Sequence, residues 1–120
     1  MRRLILLLST VLGLMGCAED CTNVYICAAI SPDGLLKATA FSRDCGATTE
    51  KSIQVFLGGV DEAVPDVGNI FRGINSDKAS LRWEGDGKLM ITTPAETFML
   101  VSRFGGVAIE KVRQDEQEKR

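Results

Sequence analysis

Four side chains with the chemistry to form or break covalent bonds stand near the start of the chain: Cys17, Cys21, Cys27 and Cys45. No histidine accompanies them. Ser-His-Asp and Cys-His catalysis and histidine-ligated metals are therefore excluded within this chain. The spacing of the cysteines is too irregular for an all-cysteine zinc site. The segment with the most reactive look is "RDCGATT", residues 43 to 49. As a site it would use Cys45 as a nucleophile or redox thiol beside Arg43, with Thr48 and Thr49 as hydrogen-bonding groups and Gly46 admitting a ligand to the backbone. As structure it would make Cys45 half of a disulfide and the threonines loop-capping groups. The structural reading is preferred, because no base is at hand and an oxidising compartment consumes thiols. The acids Asp33, Asp44, Asp66, Asp77 and Asp86 all fall at expected turns, where aspartate bonds its own backbone. No EF-hand spacing joins them into a calcium loop, and no metal or other cofactor is expected. Trp83 could stack on a sugar or a peptide, but at the entry to a hairpin it reads as core.

Cys17 has a different setting. Arg2 and Arg3 precede an apolar run from Leu4 to Met15, interrupted only by Ser9, Thr10 and Gly13. A charged start, a short apolar middle and a small-residue end make an export signal. The run is too short for a membrane span, which takes about 20 apolar residues. Its end, Leu14-Met15-Gly16-Cys17, resembles the lipobox of bacterial lipoproteins, although Met15 is an unusual occupant of its position. The resemblance implies that residues 1–16 are removed, that Cys17 is acylated, and that residues 17–22 form a tether. Ala18 after the cysteine leans toward the outer membrane, facing the periplasm, over the inner one. An export address in turn favours a disulfide among the remaining three cysteines. Cys21 to Cys45 is the preferred pairing, since Cys21 precedes the first strand and can reach a loop. Cys27 to Cys45 is the alternative, with Cys27 otherwise a small buried apolar residue.

The elements that must position these residues read as strands and tight turns. Asn23 to Ile30 is an apolar run closed by "SPDG", residues 31 to 34, and Lys37 to Arg43 alternates after it. There Lys37, Thr39, Phe41 and Arg43 face one way and Ala38, Ala40 and Ser42 the other, so the pair is a hairpin. Ser52 to Leu57 puts Ile53, Val55 and Leu57 on one face, a half-buried strand. Residues 58–68 carry Pro65 and several acids and read as a loop with room for one helical turn. Leu81 to Glu84 and Leu89 to Thr93 flank "GDGK", a second hairpin with Leu89 and Ile91 on a shared face. Thr97 to Phe104 and Val107 to Val112 flank Gly105-Gly106, a third. From Glu110 onward 8 of 11 residues are charged, so residues 113–120 are expected to be a solvated, disordered tail. The fold class is thus all-β: an antiparallel domain over residues 23–112, one small sheet of six to seven strands built from consecutive hairpins.

Two stretches, "ISPDGLLKATAF" and "LRWEGDGKLMI", resemble the turn and strand of blades in TolB-type propellers. A propeller needs about four blades of roughly 40 residues, more than the mature chain holds, so the likeness implies hairpin geometry alone. The segment "SPDGLLKATAFSRDCGATTEKSIQVF", residues 31 to 56, resembles a group of small bacterial lipoproteins and secreted proteins that share SPDG followed by Cys-Gly-Ala-Thr-Thr. That resemblance implies a shared fold and carries no catalytic residues.

Charge bounds the partners. Without Arg2 and Arg3 the basic count falls from 14 to 12 against 16 acidic residues, a net charge of −4. Lysines and arginines are scattered singly among acids, so no nucleic-acid partner is expected. Gly58-Gly59 and Gly105-Gly106 lack the spacing of phosphate-cradling loops. The function that remains is a lipid-anchored, non-catalytic binding or assembly module of the cell envelope, taking an envelope protein or peptide through a sheet edge and a contact region of Arg43, Asp44, Ala47, Thr48 and Thr49. The alternative is a small secreted hydrolase or thiol enzyme using Cys45.

Overall fold

A computed structural model describes residues 21–46 and 51–113 of the chain. Cys17, Ala47, Thr48, Thr49, the leader and residues 114–120 of the expected tail lie outside the described residues. Those described form nine strands and no helix: β1 (Thr22–Ile30), β2 (Leu36–Asp44), β3 (Ser52–Gly59), β4 (Phe71–Ile74), β5 (Ser80–Trp83), β6 (Lys88–Thr92), β7 (Glu96–Leu100), β8 (Arg103–Phe104) and β9 (Val107–Val112).

The all-β class is as expected, but the single sheet of consecutive hairpins is not. The strands divide into a five-stranded sheet, ordered β1-β2-β3-β4-β7, and a four-stranded sheet, ordered β5-β6-β9-β8. A one-sided sheet leaves its apolar face in water, and here the two sheets cover each other's. Ala38, Ala40, Ile53, Val55, Leu57 and Phe71 from the first sheet pack with Leu89, Ile91, Val107 and Ile109 from the second in one cluster. The third expected hairpin is split to achieve this. β7 leaves to pair with β4, and only Arg103 and Phe104 pair back on β9 across the two-glycine turn. β9 then lies parallel to β6 over residues Lys88–Thr92 and Ala108–Val112.

The first two hairpins form where the turn residues place them. In the first turn Gly34 takes a φ of +79°, and its N–H donates to the Ser31 carbonyl. Asp33 Oδ1 accepts from Ser31 Oγ at 2.6 Å and from the Leu35 N–H at 3.1 Å, an Asx-type closure of the turn. These two bonds, the hydroxyl's first, hold the exposed Asp33 carboxyl below its ordinary pKa. The second turn meets the first: Asp86 Oδ1 accepts from the Asp33 N–H at 2.9 Å.

At the other end of the β1–β2 ladder Cys21 and Cys45 form a disulfide. They stand one step beyond the Thr22–Asp44 pair, in the same register, so the bond staples the open end of the hairpin. Among the described residues Cys27 is the free thiol, half-buried, with its Sγ directed at the Ala79 carbonyl at 3.6 Å. Burial pushes its pKa up, against a smaller opposing effect from the backbone of Leu81. Trp83 packs at the margin of the core and donates its indole N–H to the Ala29 carbonyl at 2.9 Å, tying β5 to β1.

Candidate functional site

The central strands of the five-stranded sheet are buried on both faces, which a strand of alternating pattern does not announce. Alternation predicts a half-buried β3; in the structure Gln54 and Phe56 are buried as well as Ile53, Val55 and Leu57. On β2, Thr39 and Phe41 are buried on the face opposite Ala38 and Ala40. What covers this outer face is the loop between β3 and β4. It contains no helical turn. It turns at Val60–Asp61 and crosses the sheet as a strap.

The strap is held by hydrogen bonds along its course. At its start the Val60 N–H donates to the Leu35 carbonyl, and Glu62 Oε1 accepts from the Gly59 N–H at 3.0 Å. At its far end the Asp66 carbonyl accepts from Asn23 Nδ2 at 3.0 Å and from Arg43 Nη1 at 2.9 Å. The same Arg43 nitrogen donates to Asn23 Oδ1 at 3.0 Å. On the return, Gly68 N–H donates to buried Gln54 Oε1 at 2.7 Å. Asn69 then pairs through its side chain with both the N–H and the carbonyl of Leu57, in the manner of a neighbouring strand. Gly68 passes so close to β3 that an added Cβ would lie 2.7 Å from the Val55 N and O atoms. Only glycine fits there.

Between strap and sheet an open cleft of about 320 Å³ remains, lined by Asn23, Tyr25, Thr39, Phe41, Val64, Pro65 and Asp66. Tyr25 and Phe41 stand directly opposite each other across the β1–β2 ladder. The register shifts between Tyr25 and Cys27, so the bulge at Ile26 brings Ala28 opposite Thr39 on the same face. Tyr25 is two-thirds exposed and Val64 is 41% exposed, whereas Phe41 and Thr39 are 3% and 4% exposed. The cleft thus has an open rim and a closed floor. In that floor Thr39 Oγ1 is buried without a hydrogen-bond partner, and it is the one such side-chain atom among the described residues.

Of the expected contact region, Arg43 and Asp44 are among the described residues. Arg43 is adjacent to the cleft, and its Nη1 fastens the strap. Asp44 Oδ1 accepts from the Gly46 N–H at 3.1 Å. Cys45 is in the disulfide, so its sulfur is no thiol nucleophile, and the enzyme alternative loses the group on which it was built. The chemistry left at the cleft is apolar contact and hydrogen bonding. Sequence reading missed Tyr25, Thr39, Phe41 and the strap as a unit. The available signal was Thr39 and Phe41 alternating with Ala38 and Ala40, a strand apolar on both faces. Among the described residues no cluster of three potential metal ligands occurs and no helix is long and apolar enough to cross a membrane. No family model, curated protein or solved structure matches the chain.

Proposed function

We propose that the protein is a lipid-anchored, non-catalytic binding module of the bacterial cell envelope, with acylated Cys17 in the outer membrane and the strapped face of the five-stranded sheet turned to an envelope protein or peptide. The observation that carries the binding half is the cleft between strap and sheet. It is apolar enough to give affinity, and it holds a buried hydroxyl that a partner can satisfy. The proposed contact region of Arg43, Asp44, Ala47, Thr48 and Thr49 follows Thr39 and Phe41 along the same stretch of chain, and its Arg43 holds the strap that forms one side of the cleft. The lipobox-like end of the leader carries the anchoring half. More than one fatty chain on a single cysteine holds a protein far more firmly than the single chain that binds only marginally.

Both halves are tested in cells. A palmitate analogue should label the wild type and leave Cys17→Ser unlabelled; equal label in both would remove the anchor. Crosslinking in intact envelopes should capture a partner through Tyr25 or Val64 replaced by a photoreactive residue, and not through an equivalent replacement at exposed Arg82 on β5. Turnover of an ester, peptide or glycan by the purified mature domain would overturn the non-catalytic reading.

A further inference from the structure

The polar groups around the cleft are not equally available. Asn23 spends its side-chain oxygen on Arg43 and its nitrogen on Asp66, and Arg43 is occupied by Asn23 and the Asp66 carbonyl. The lining itself holds no lysine or arginine and does hold the acid Asp66, which disfavours an anionic ligand. A sugar presents several hydroxyls, each of which needs a partner once buried, and the floor offers one. A plain acyl chain would leave the Thr39 hydroxyl as it stands, buried and unsatisfied, which costs free energy. The lining holds two rings, Tyr25 at the rim and Phe41 in the floor, with Val64 and Pro65 contributed by the strap. A volume of about 320 Å³ lies at the small end of ligand pockets, suited to one ring system rather than a larger molecule.

We propose that the cleft receives one neutral aromatic side chain bearing a single hydrogen-bonding group, a tyrosine or tryptophan presented by the partner peptide. Its ring lies between the Tyr25–Phe41 pair and the Val64–Pro65 edge, and its polar group meets Thr39 Oγ1. This rests on the binding-module reading and names the anchor residue that reading leaves open. Aromatic pairs gain beyond area burial alone, and a buried aromatic in a pocket is the usual centre of a peptide interface.

The test is a titration of the disulfide-intact mature domain with N-acetyltyrosinamide and N-acetylphenylalaninamide, read by the methyl resonances of Val64 and Thr39, with those of Leu89 and Ile91 as the buried reference. The tyrosine probe should give saturable shifts at the cleft and bind about tenfold more tightly than the phenylalanine probe, the worth of one hydrogen bond. In Thr39→Val, which keeps the shape of the side chain and removes the hydroxyl, the two probes should bind alike while the thermal midpoint does not fall. Equal affinities in the wild type, or no saturable shift from either probe, would overturn the inference and leave an ordered water as the hydroxyl's partner. A partner captured equally well by wild type, Tyr25→Ala and Thr39→Val would sink the aromatic anchor and keep the tethered module. Saturable ring binding with no partner in the envelope would do the reverse.

Discussion

The two faces of the five-stranded sheet are buried by different means. The inner face meets a second sheet, and its covering side chains, Leu89, Ile91, Val107 and Ile109, are apolar, interdigitated and almost wholly inaccessible. The outer face meets the strap between β3 and β4, and what fastens it is a series of hydrogen bonds: Asn23 and Arg43 donate to the Asp66 carbonyl, Gln54 accepts from the Gly68 N–H, and Asn69 donates to the Leu57 carbonyl. Apolar interdigitation is dense and leaves no unpaired polar atom. The strap cannot fill the area it spans, so it leaves a cleft and one hydroxyl without a partner. The inner face makes the fold stable, and the outer face leaves something over for a ligand. Substitutions on the two faces should therefore have different consequences for stability and for binding.

The largest loss of stability is expected on the inner face. Phe71 is fully buried between the sheets, and Phe71→Ala should cost about 3–5 kcal/mol, a large part of what a domain of this size possesses. Denaturant unfolding of the purified domain measures it. A loss below about 1 kcal/mol would mean that the sheets are not packed against each other as described.

Second in size is the staple. Cys21 and Cys45 close a loop whose ends are 24 positions apart, for which the chain-entropy estimate is about 3 kcal/mol. The double variant Cys21→Ser, Cys45→Ser should unfold at correspondingly lower denaturant. It should also loosen the Asn23 and Arg43 contacts that hold the far end of the strap, because those residues lie two steps from the bond. Partner capture should therefore fall more in this variant than in an inner-face variant of equal stability, such as Leu89→Ala. Equal capture by the two would break the assignment of binding to the strapped face.

These contrasts also bear on what was legible beforehand. The SPDG and GDGK hairpins, the inward set Ile53, Val55, Leu57, Leu89 and Ile91, and the Cys21–Cys45 pairing all follow from local signals: turn chemistry, period-two alternation and cysteines flanking a hairpin. The sheet partition does not. β4 is four residues, "FRGI", too short to show a period and interrupted by Gly73 where Ala95 packs close. The parallel β6–β9 pairing sets Lys88 beside Ala108, far along the chain and with no turn to mark it, so the hairpin logic joined β7 to β9 instead. The cleft was illegible for a related reason. The strap's sequence has no periodicity, and its role comes from where Asp66 and Gly68 land on β1, β2 and β3. The expectation that "RDCGATT" is the contact region rests on loops carrying function, and the hold of Arg43 on the strap had no signal in that reading.

A third variant tests the strap without touching the core. Gln54→Leu conserves most of the buried volume and deprives the Gly68 N–H of its 2.7 Å acceptor, so it should cost about 1–3 kcal/mol. The loss should be local. Amide exchange should accelerate at Gly68 and Asn69 while Leu89 and Ile91 keep their protection, whereas Phe71→Ala should speed exchange in both places together. Uniform acceleration in Gln54→Leu would show that strap and core open as one unit and would remove the distinction between the faces.

The smallest effect is expected where the two sheets touch outside the core, at the turn tips. Asp33 has its carboxyl pKa lowered by the Ser31 hydroxyl and the Leu35 N–H. A group whose pKa is lower folded than unfolded stabilises the fold above its unfolded value, and that contribution is lost as the pH falls through the folded value. Asp33→Asn keeps an oxygen in place to accept the same two bonds and removes the charge. Its thermal midpoint should therefore lie slightly below the wild type at pH 7, and the two curves should converge as acid protonates Asp33 in the wild type, below the ordinary carboxylate range. The Asp33 N–H to Asp86 contact survives the substitution, since it uses the backbone, so the tips should stay joined. A difference between the two proteins that persists unchanged at pH 2 would mean that the substitution acts by distorting the turn and not by removing the charge. The link between the sheets at this end would then depend on the shape of the SPDG turn rather than on its carboxylate.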